Sequence, residues 1–147
     1  MSNDPPNRPG VGDDRWGAQL GLEIVEVSPE RVVARLEPGP RHHQPYGILH
    51  GGVYCSIVED VASHGAGAAI AESGGLGVVG IANSTDFLRS HSEGELRATG
   101  EPIHRSRTQQ IWQVVISRVS DGKTVARGHV RFQVLDRLPF ERGNGSS

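Results

Sequence analysis

His50-Gly51-Gly52-Val53-Tyr54-Cys55-Ser56-Ile57-Val58-Glu59-Asp60-Val61-Ala62-Ser63 is the stretch on which the fold turns. Val53, Ile57 and Val61 fall at i, i+4 and i+8, and Tyr54, Val58 and Ala62 follow one residue on. Residues at that spacing stack on one side of a helix. Here the apolar surface nearly encircles it, which predicts a buried helix from Gly52 to about Ile70, roughly 28 Å long. Gly65 and Gly67 weaken its end, and Ser73-Gly74-Gly75 closes it. Cys55, Glu59 and Ser63 form one stripe at i, i+4 spacing, so Glu59 and Ser63 face the same place. The polar loop His42-His43-Gln44-Pro45-Tyr46-Gly47-Ile48-Leu49 leads into the helix start. A helix N-terminus offers unpaired N–H groups and positive potential, which suits a carbonyl oxygen about to become an oxyanion. A carboxylate on an apolar helix is costly to bury unless it is paired or used. Together these features point to carbonyl chemistry.

The rest of the chain reads as strands. Leu22–Val27 and Arg31–Leu36, separated by Ser28-Pro29-Glu30, predict a hairpin. A short helix is expected at Arg15–Leu20, with Trp16 and Leu20 on one face. After the long helix come Gly77–Leu88 and Glu95–Ile103, joined by a turn at His91-Ser92-Glu93-Gly94. Gln109–Val119 and Thr124–Leu135 follow, joined at Asp121-Gly122, a hairpin signal. The last strand alternates, with Ala126, Gly128, Val130, Phe132 and Val134 on one face and Arg127, His129, Arg131 and Gln133 on the other. One long helix and six strands with hairpin-like connections exclude a doubly wound fold, which needs alternating strands and helices. They predict an α+β architecture, an antiparallel sheet of about six strands wrapped around one central helix. Residues 14–138 read as a single domain, with disordered segments at 1–13 and 139–147, which lack apolar content.

Composition excludes several functions. The chain has 147 residues, a net charge of -2 and a pI near 6.4. No basic excess suggests nucleic-acid binding, and no apolar run is long enough to span a bilayer. The first ten residues lack the apolar stretch of a signal peptide. A single cysteine, Cys55, excludes an intrachain disulfide framework and fits a reducing cytoplasm. It is read as a packed small residue, because a catalytic thiol needs a lowered pKa. His42, His43 and His50 show no zinc-ligand spacing, so no metal is expected. Gly65-Ala66-Gly67 sits at a helix end and lacks a third glycine, so it is not read as a dinucleotide site.

The run Gln44-Pro45-Tyr46-Gly47-Ile48-Leu49-His50-Gly51-Gly52-Val53, followed by Glu59 and Ser63, resembles hotdog-fold acyl-CoA thioesterases of the phenylacetate-operon and 4-hydroxybenzoyl-CoA type. Asn83-Ser84-Thr85-Asp86-Phe87-Leu88-Arg89 and Pro102-Ile103-His104-Arg105-Ser106-Arg107 extend the likeness over roughly residues 17–136. The resemblance implies Glu59, rather than its neighbour Asp60, as catalytic acid, acting as general base or nucleophile. It implies the Gly51 N–H as donor to the thioester carbonyl. Gln44 would help hold the carbonyl or the attacking water, His50 would support the thioester end, and Ser63 would orient water or a polar acyl substituent. Gly52, Asn83, Ser84, Arg89, Arg105, Ser106 and Arg107 are implied to bind substrate, the arginines through CoA phosphates. Ser106 departs from the glycine that relatives often carry there. The resemblance further implies no cofactor and no metal. Its partners would be an acyl-CoA and a homodimer or homotetramer, with Gln44, His50 and Gly51 facing Glu59 and Ser63 of another copy.

Two rival classes share the fold. A non-catalytic acyl-CoA sensor would want a DNA-binding module, and the first 17 residues are too short for one. A hydratase or dehydratase would use an Asp/His pair for proton transfer, whereas here the acid goes with Gln44 and a glycine N–H.

Overall fold

Helix α2 (Gly51–Glu72) is seated against one antiparallel sheet in the computed structural model, which describes residues 15–136. The expectations for residues 1–13 and 139–147 fall outside that range. Before α2 come α1 (Arg15–Leu20), β1 (Glu23–Val27), β2 (Val32–Leu36) and a 3-10 turn at Pro40–His42. After it come β3 (Val78–Phe87), β4 (Leu96–Arg105), β5 (Gln109–Arg118) and β6 (Thr124–Val134). The sheet has six strands in the order β1-β2-β4-β5-β6-β3, and every neighbouring pair is antiparallel. This is the hotdog architecture, one long helix wrapped by a curved sheet.

α2 starts one residue earlier than expected and ends two residues later. His50 caps its start, with Nδ1 accepting from the Gly52 N–H at 2.8 Å, and Ser73 caps its end. Gly65 and Gly67 do not end the helix. A Cβ on Gly65 would lie 2.3 Å from the Trp112 ring, so the glycine is where the helix meets its largest core side chain. Packing against a fully buried Trp offsets a helix-propensity loss of about 1 kcal/mol. Val53, Tyr54, Ile57, Val58, Val61 and Ala62 are buried, whereas Cys55, Ser56, Glu59, Asp60, Ser63 and His64 are only partly so. The helix is therefore not covered all round within one chain.

The connection after β3 differs from expectation. His91–Gly94 does not join neighbouring strands: β4 lies between β2 and β5, while β3 crosses to the far edge beside β6. The segment is held against the loop before α2. His91 is buried, its Nε2 bonds Gly94 O at 2.7 Å, and its carbonyl accepts from the Leu49 N–H at 2.8 Å. β6 alternates as read, with Ala126, Gly128, Val130 and Phe132 buried and Arg127, His129 and Arg131 exposed. Trp16 and Leu20 diverge: Leu20 enters the core, while Trp16 stays 59% exposed and donates its indole N–H to Ser56 Oγ.

The Gly65–Trp112 contact yields a test. Gly65→Ala should destabilise the protein by about 1–3 kcal/mol despite the better helix former, because overpacking outweighs propensity. Urea unfolding midpoints measure this, and a more stable Gly65→Ala protein would contradict the packing account.

Candidate active site

The start of α2 is a set of backbone donors. The Gly52 N–H is taken by His50 Nδ1 and the Val53 N–H by His50 O. Among the described residues no acceptor lies on the Gly51 N–H. Phe87, at the end of β3, covers this turn: a Cβ on Gly51 would lie 2.4 Å from the Phe87 ring. Any larger residue would force the Phe87 ring or the helix start to shift. Tyr54 stacks behind Phe87 with ring centroids 5.6 Å apart. The Tyr54 hydroxyl is buried without a partner, and burial pushes its phenol above the ordinary value.

Glu59 lies two turns on, against β3. Its Oε1 would be 3.0 Å from a Cβ on Gly80, so a side chain there would crowd the carboxylate. Oε2 is buried without a hydrogen-bond partner. The Asn83 side chain, whose amide N–H donates to Cys55 O at 3.1 Å, lies near the carboxylate and favours its charged form. Burial raises the Glu59 pKa, and the Asn83 hydrogen bond partly counters it. A half-buried carboxylate with one free oxygen and a raised pKa is equipped to take a proton or to attack a carbonyl. Asp60 points elsewhere, toward His64, whose Nδ1 lies 3.8 Å from Asp60 Oδ2 and 2.8 Å from Asp60 O.

Ser63 shares the Glu59 stripe as expected, but its hydroxyl donates to Glu59 O at 2.7 Å. Gln44 accepts the Tyr46 N–H through Oε1, and its own N–H bonds Ile48 O at 2.8 Å. It therefore shapes the loop before the helix. The other histidines of this region hold backbone. His42 Nδ1 accepts from Gly39 N–H and its Nε2 bonds Leu20 O, while His43 Nε2 bonds Ser92 O. Among the described residues no group of three or more His, Cys, Asp or Glu could hold a metal.

The expected substrate-binding residues separate into three places. Asn83 stands beside Glu59, and Gly52 beside His50. Ser84 pairs with His129 on the opposite face of the sheet, in a cleft of ≈ 270 Å³ with Ile103, Ile111 and Arg131. Arg89 is tied to Thr124 O at 2.7 Å. Arg105, Ser106 and Arg107 lie at the β4–β5 turn, toward the C-terminal end of α2. There Arg105 bonds Pro29 O and pairs with Glu30 at 3.0 Å, lining a groove of ≈ 380 Å³ with Ala69 and Ile70. Ser106 closes the turn, accepting from the Gln109 N–H at 3.1 Å. Within one chain none of these three approaches the Gly51 turn. Sequence reading passed over Gly80, Thr85 and Gly128. A lone glycine in a strand marks a bulge or a close approach, and that signal was present at Gly80 and Gly128.

A wrapped central helix, an open donor at its N-terminus and a carboxylate two turns on define a hotdog thioesterase. The chain belongs to the thioesterase superfamily, whose profile matches residues 46–125. It is 45% identical over 125 residues to "Putative esterase Rv1847" of Mycobacterium tuberculosis, covering 84% of this chain and 89% of the relative. The solved structure of that protein superposes with a TM-score of 0.79 at 44% identity, over 84% of this chain and 98% of the other. A 1,4-dihydroxy-2-naphthoyl-CoA hydrolase of Listeria monocytogenes is 38% identical over 98 residues, 67% of this chain and 78% of the relative. A Haemophilus influenzae thioesterase structure has a TM-score of 0.80 at 26% identity, covering 96% of both chains. The coarse chemistry is therefore thioester hydrolysis.

The glycine turn gives the next prediction. Gly51→Ala should lower hydrolysis although the backbone N–H remains, because its Cβ meets Phe87 and displaces the donor. Gly51→Ala/Phe87→Ala should recover part of the loss. A fully active Gly51→Ala enzyme would remove the tight turn from the mechanism.

Proposed function

We propose that this protein hydrolyses acyl-CoA thioesters to the free acid and CoA at sites shared between two copies of the chain. The observation that carries this reading is the Glu59 carboxylate, half-buried, with Oε2 unbonded and a raised pKa, in a thioesterase-superfamily fold. The thioester carbonyl would take the Gly51 N–H as it becomes an oxyanion, aided by the dipole of α2. Glu59 would take a proton from water as that water attacks, or would itself attack to form a mixed anhydride that water then cleaves. Either route ends in carboxylic acid and CoA thiol, and neither calls for a cofactor. A reducing cytoplasm is where acyl-CoA and the unpaired Cys55 would both belong. No helix among the described residues is long and apolar enough to cross a membrane.

Geometry supports a shared site. Eight positions separate Gly51 from Glu59, about 12 Å of helix, too far for both to contact one carbonyl group. Glu59 packs toward β3, an edge strand of the sheet. β3 is ten residues long, with Ile81 52%, Phe87 54% and, just beyond it, Leu88 51% exposed. A long, apolar, unpaired edge is a template for another strand. Two copies joined edge to edge would bring the Gly51 turn of one chain toward Glu59 of the other. Gln44 and His50 would come with that turn. The arginines at the β4–β5 turn are left as the proposed phosphate contacts, with Arg105 having to leave Glu30, an exposed ion pair of small worth.

Thiol release from a panel of acyl-CoAs tests the activity, with a hydration assay alongside. Glu59→Gln should lower kcat by about 10²–10⁴, and Asp60→Asn should be far milder. Mixing Glu59→Gln and Gly51→Ala subunits should restore about one quarter of wild-type activity by random pairing, since one site per mixed dimer is intact. No recovery on mixing would place both groups in the same subunit's site.

pH dependence follows from the raised Glu59 pKa. The reactive form is the carboxylate, so kcat/KM should fall on the acid side with a midpoint above the ordinary 4.5. In the folded protein Glu59 gives up its proton less readily than when unfolded. Stability from this group is thus lost as pH rises from 4.5 through the folded value. Glu59→Gln should consequently melt higher than wild type at neutral pH. An equal or lower melting temperature would show that the charge is not strained.

A further inference from the structure

We propose that Asn83 is a positioning residue, set by Thr85 and Gly128, that fixes the orientation of the Glu59 carboxylate rather than contacting substrate. This rests on Glu59 being the acid of the proposed hydrolysis.

The arrangement starts from a bulge. β3 and β6 pair from Phe87↔Ala126 to Val78↔Val134, with a register shift between Gly80 and Ala82. Cross-strand partners share a face of the sheet. Asn83, Thr85 and Phe87 oppose Val130, Gly128 and Ala126, all buried, so these three β3 positions face α2. Gly80 and Val78 oppose Phe132 and Val134 and face α2 as well. Ile81 is the extra residue. Were the strand regular through Ile81, Gly80 and Asn83, three positions apart, would fall on opposite faces, and the space for Glu59 and the Asn83 amide could not coincide. Bulges re-aim side chains in this way.

The amide is fixed at both ends. Thr85 Oγ1 donates to Asn83 Oδ1 at 2.7 Å, which leaves Nδ2 to point at the helix. Nδ2 then donates to Cys55 O at 3.1 Å, one helical turn before Glu59, which sets the amide beside the Glu59 carboxylate whose charged form it favours. Thr85 has its place because residue 128 is glycine: a Cβ there would be 2.5 Å from Thr85 Oγ1 and 2.7 Å from Ser84 O. Gly128 admits Thr85, Thr85 turns Asn83, and Asn83 holds Glu59. The groups on the Glu59 side are Cys55 and Ser63 from α2 and Gly80 and Asn83 from β3. Asp60 and His64 are engaged with each other on the next face. Burial and the Asn83 hydrogen bond are the two influences on the Glu59 proton, and they oppose one another.

The experiment follows the Glu59 carboxyl directly, by ¹³C NMR titration of the labelled full chain, with the signal assigned by its loss in Glu59→Gln. Asn83→Ala should move the Glu59 midpoint upward, because the bond that favours the carboxylate is gone. The acid limb of kcat/KM should move by the same amount. kcat should fall about ten-fold with KM little changed, the size of one charge-assisted hydrogen bond. Thr85→Val should give the same changes in smaller measure, and Thr85→Ser should restore wild-type behaviour. A purely structural role for Asn83 would lower the melting temperature and leave the Glu59 midpoint in place, which overturns the proposal. So would a raised KM at constant kcat, which would make Asn83 a substrate contact. A shifted midpoint beside a fully active Glu59→Gln would instead overturn the hydrolytic role of Glu59 while the positioning geometry stood.

Discussion

The close seat of α2 in its sheet is the constraint on which the rest depends. Three small residues set that distance. Gly51 meets Phe87, Gly65 meets Trp112, and Gly100 of β4 meets Val61, with a Cβ at any of them lying 2.9 Å or less from its neighbour. Helix and sheet therefore touch along the length of α2, and Trp112, Val61 and Ile57 are fully buried as a result. Packing this tight leaves few ways to place a polar group against the strands. Glu59 finds its place at the edge, where β3 has solvent on its outer side.

Glu59 is tolerated there because its surroundings are only half apolar. Burial opposes its charge, Asn83 supports it, and one oxygen is left without a partner. A carboxylate fully paired with arginine would be held charged and unreactive toward protons. One buried in a dry core would be neutral. The edge of the sheet lies between these extremes, which is the condition a general base or a nucleophile needs near neutral pH. The same edge is what a second copy would cover. Closing it would exclude water from the carboxylate and strengthen each local electrostatic interaction.

The donor turn and the acid are set by different physics. At Gly51 the proposed chemistry would come from the backbone, and the residue is constrained by what it must not carry, since a side chain would strike Phe87. At Glu59 it would come from the side chain, and the constraint falls on Gly80, where a Cβ would crowd the carboxylate. The two constraints thus fall on different elements, on α2 at Gly51 and on β3 at Gly80. The two groups stay about 12 Å apart along one helix, and no adjustment within a single chain removes that separation.

The helix, the six strands and the central wrap were legible in the sequence, because 3.6-residue and two-residue periodicities are local properties of which residues are apolar. The shared stripe of Glu59 and Ser63 was legible too, from their i, i+4 spacing on an apolar helix. The place of β3 was not. Its own residues read as a strand beside β4, but pairing partners are chosen by long-range hydrogen bonds, and those put it at the far edge beside β6. Nor was the reason Gly65 is tolerated inside α2, since the Trp112 ring that it meets lies on a distant strand. Asn83 stood in the sequence as one polar residue in a run, with no sign of which face it would take. A single bulged residue at Ile81 decides that, and a one-residue shift turns every later side chain to the other face.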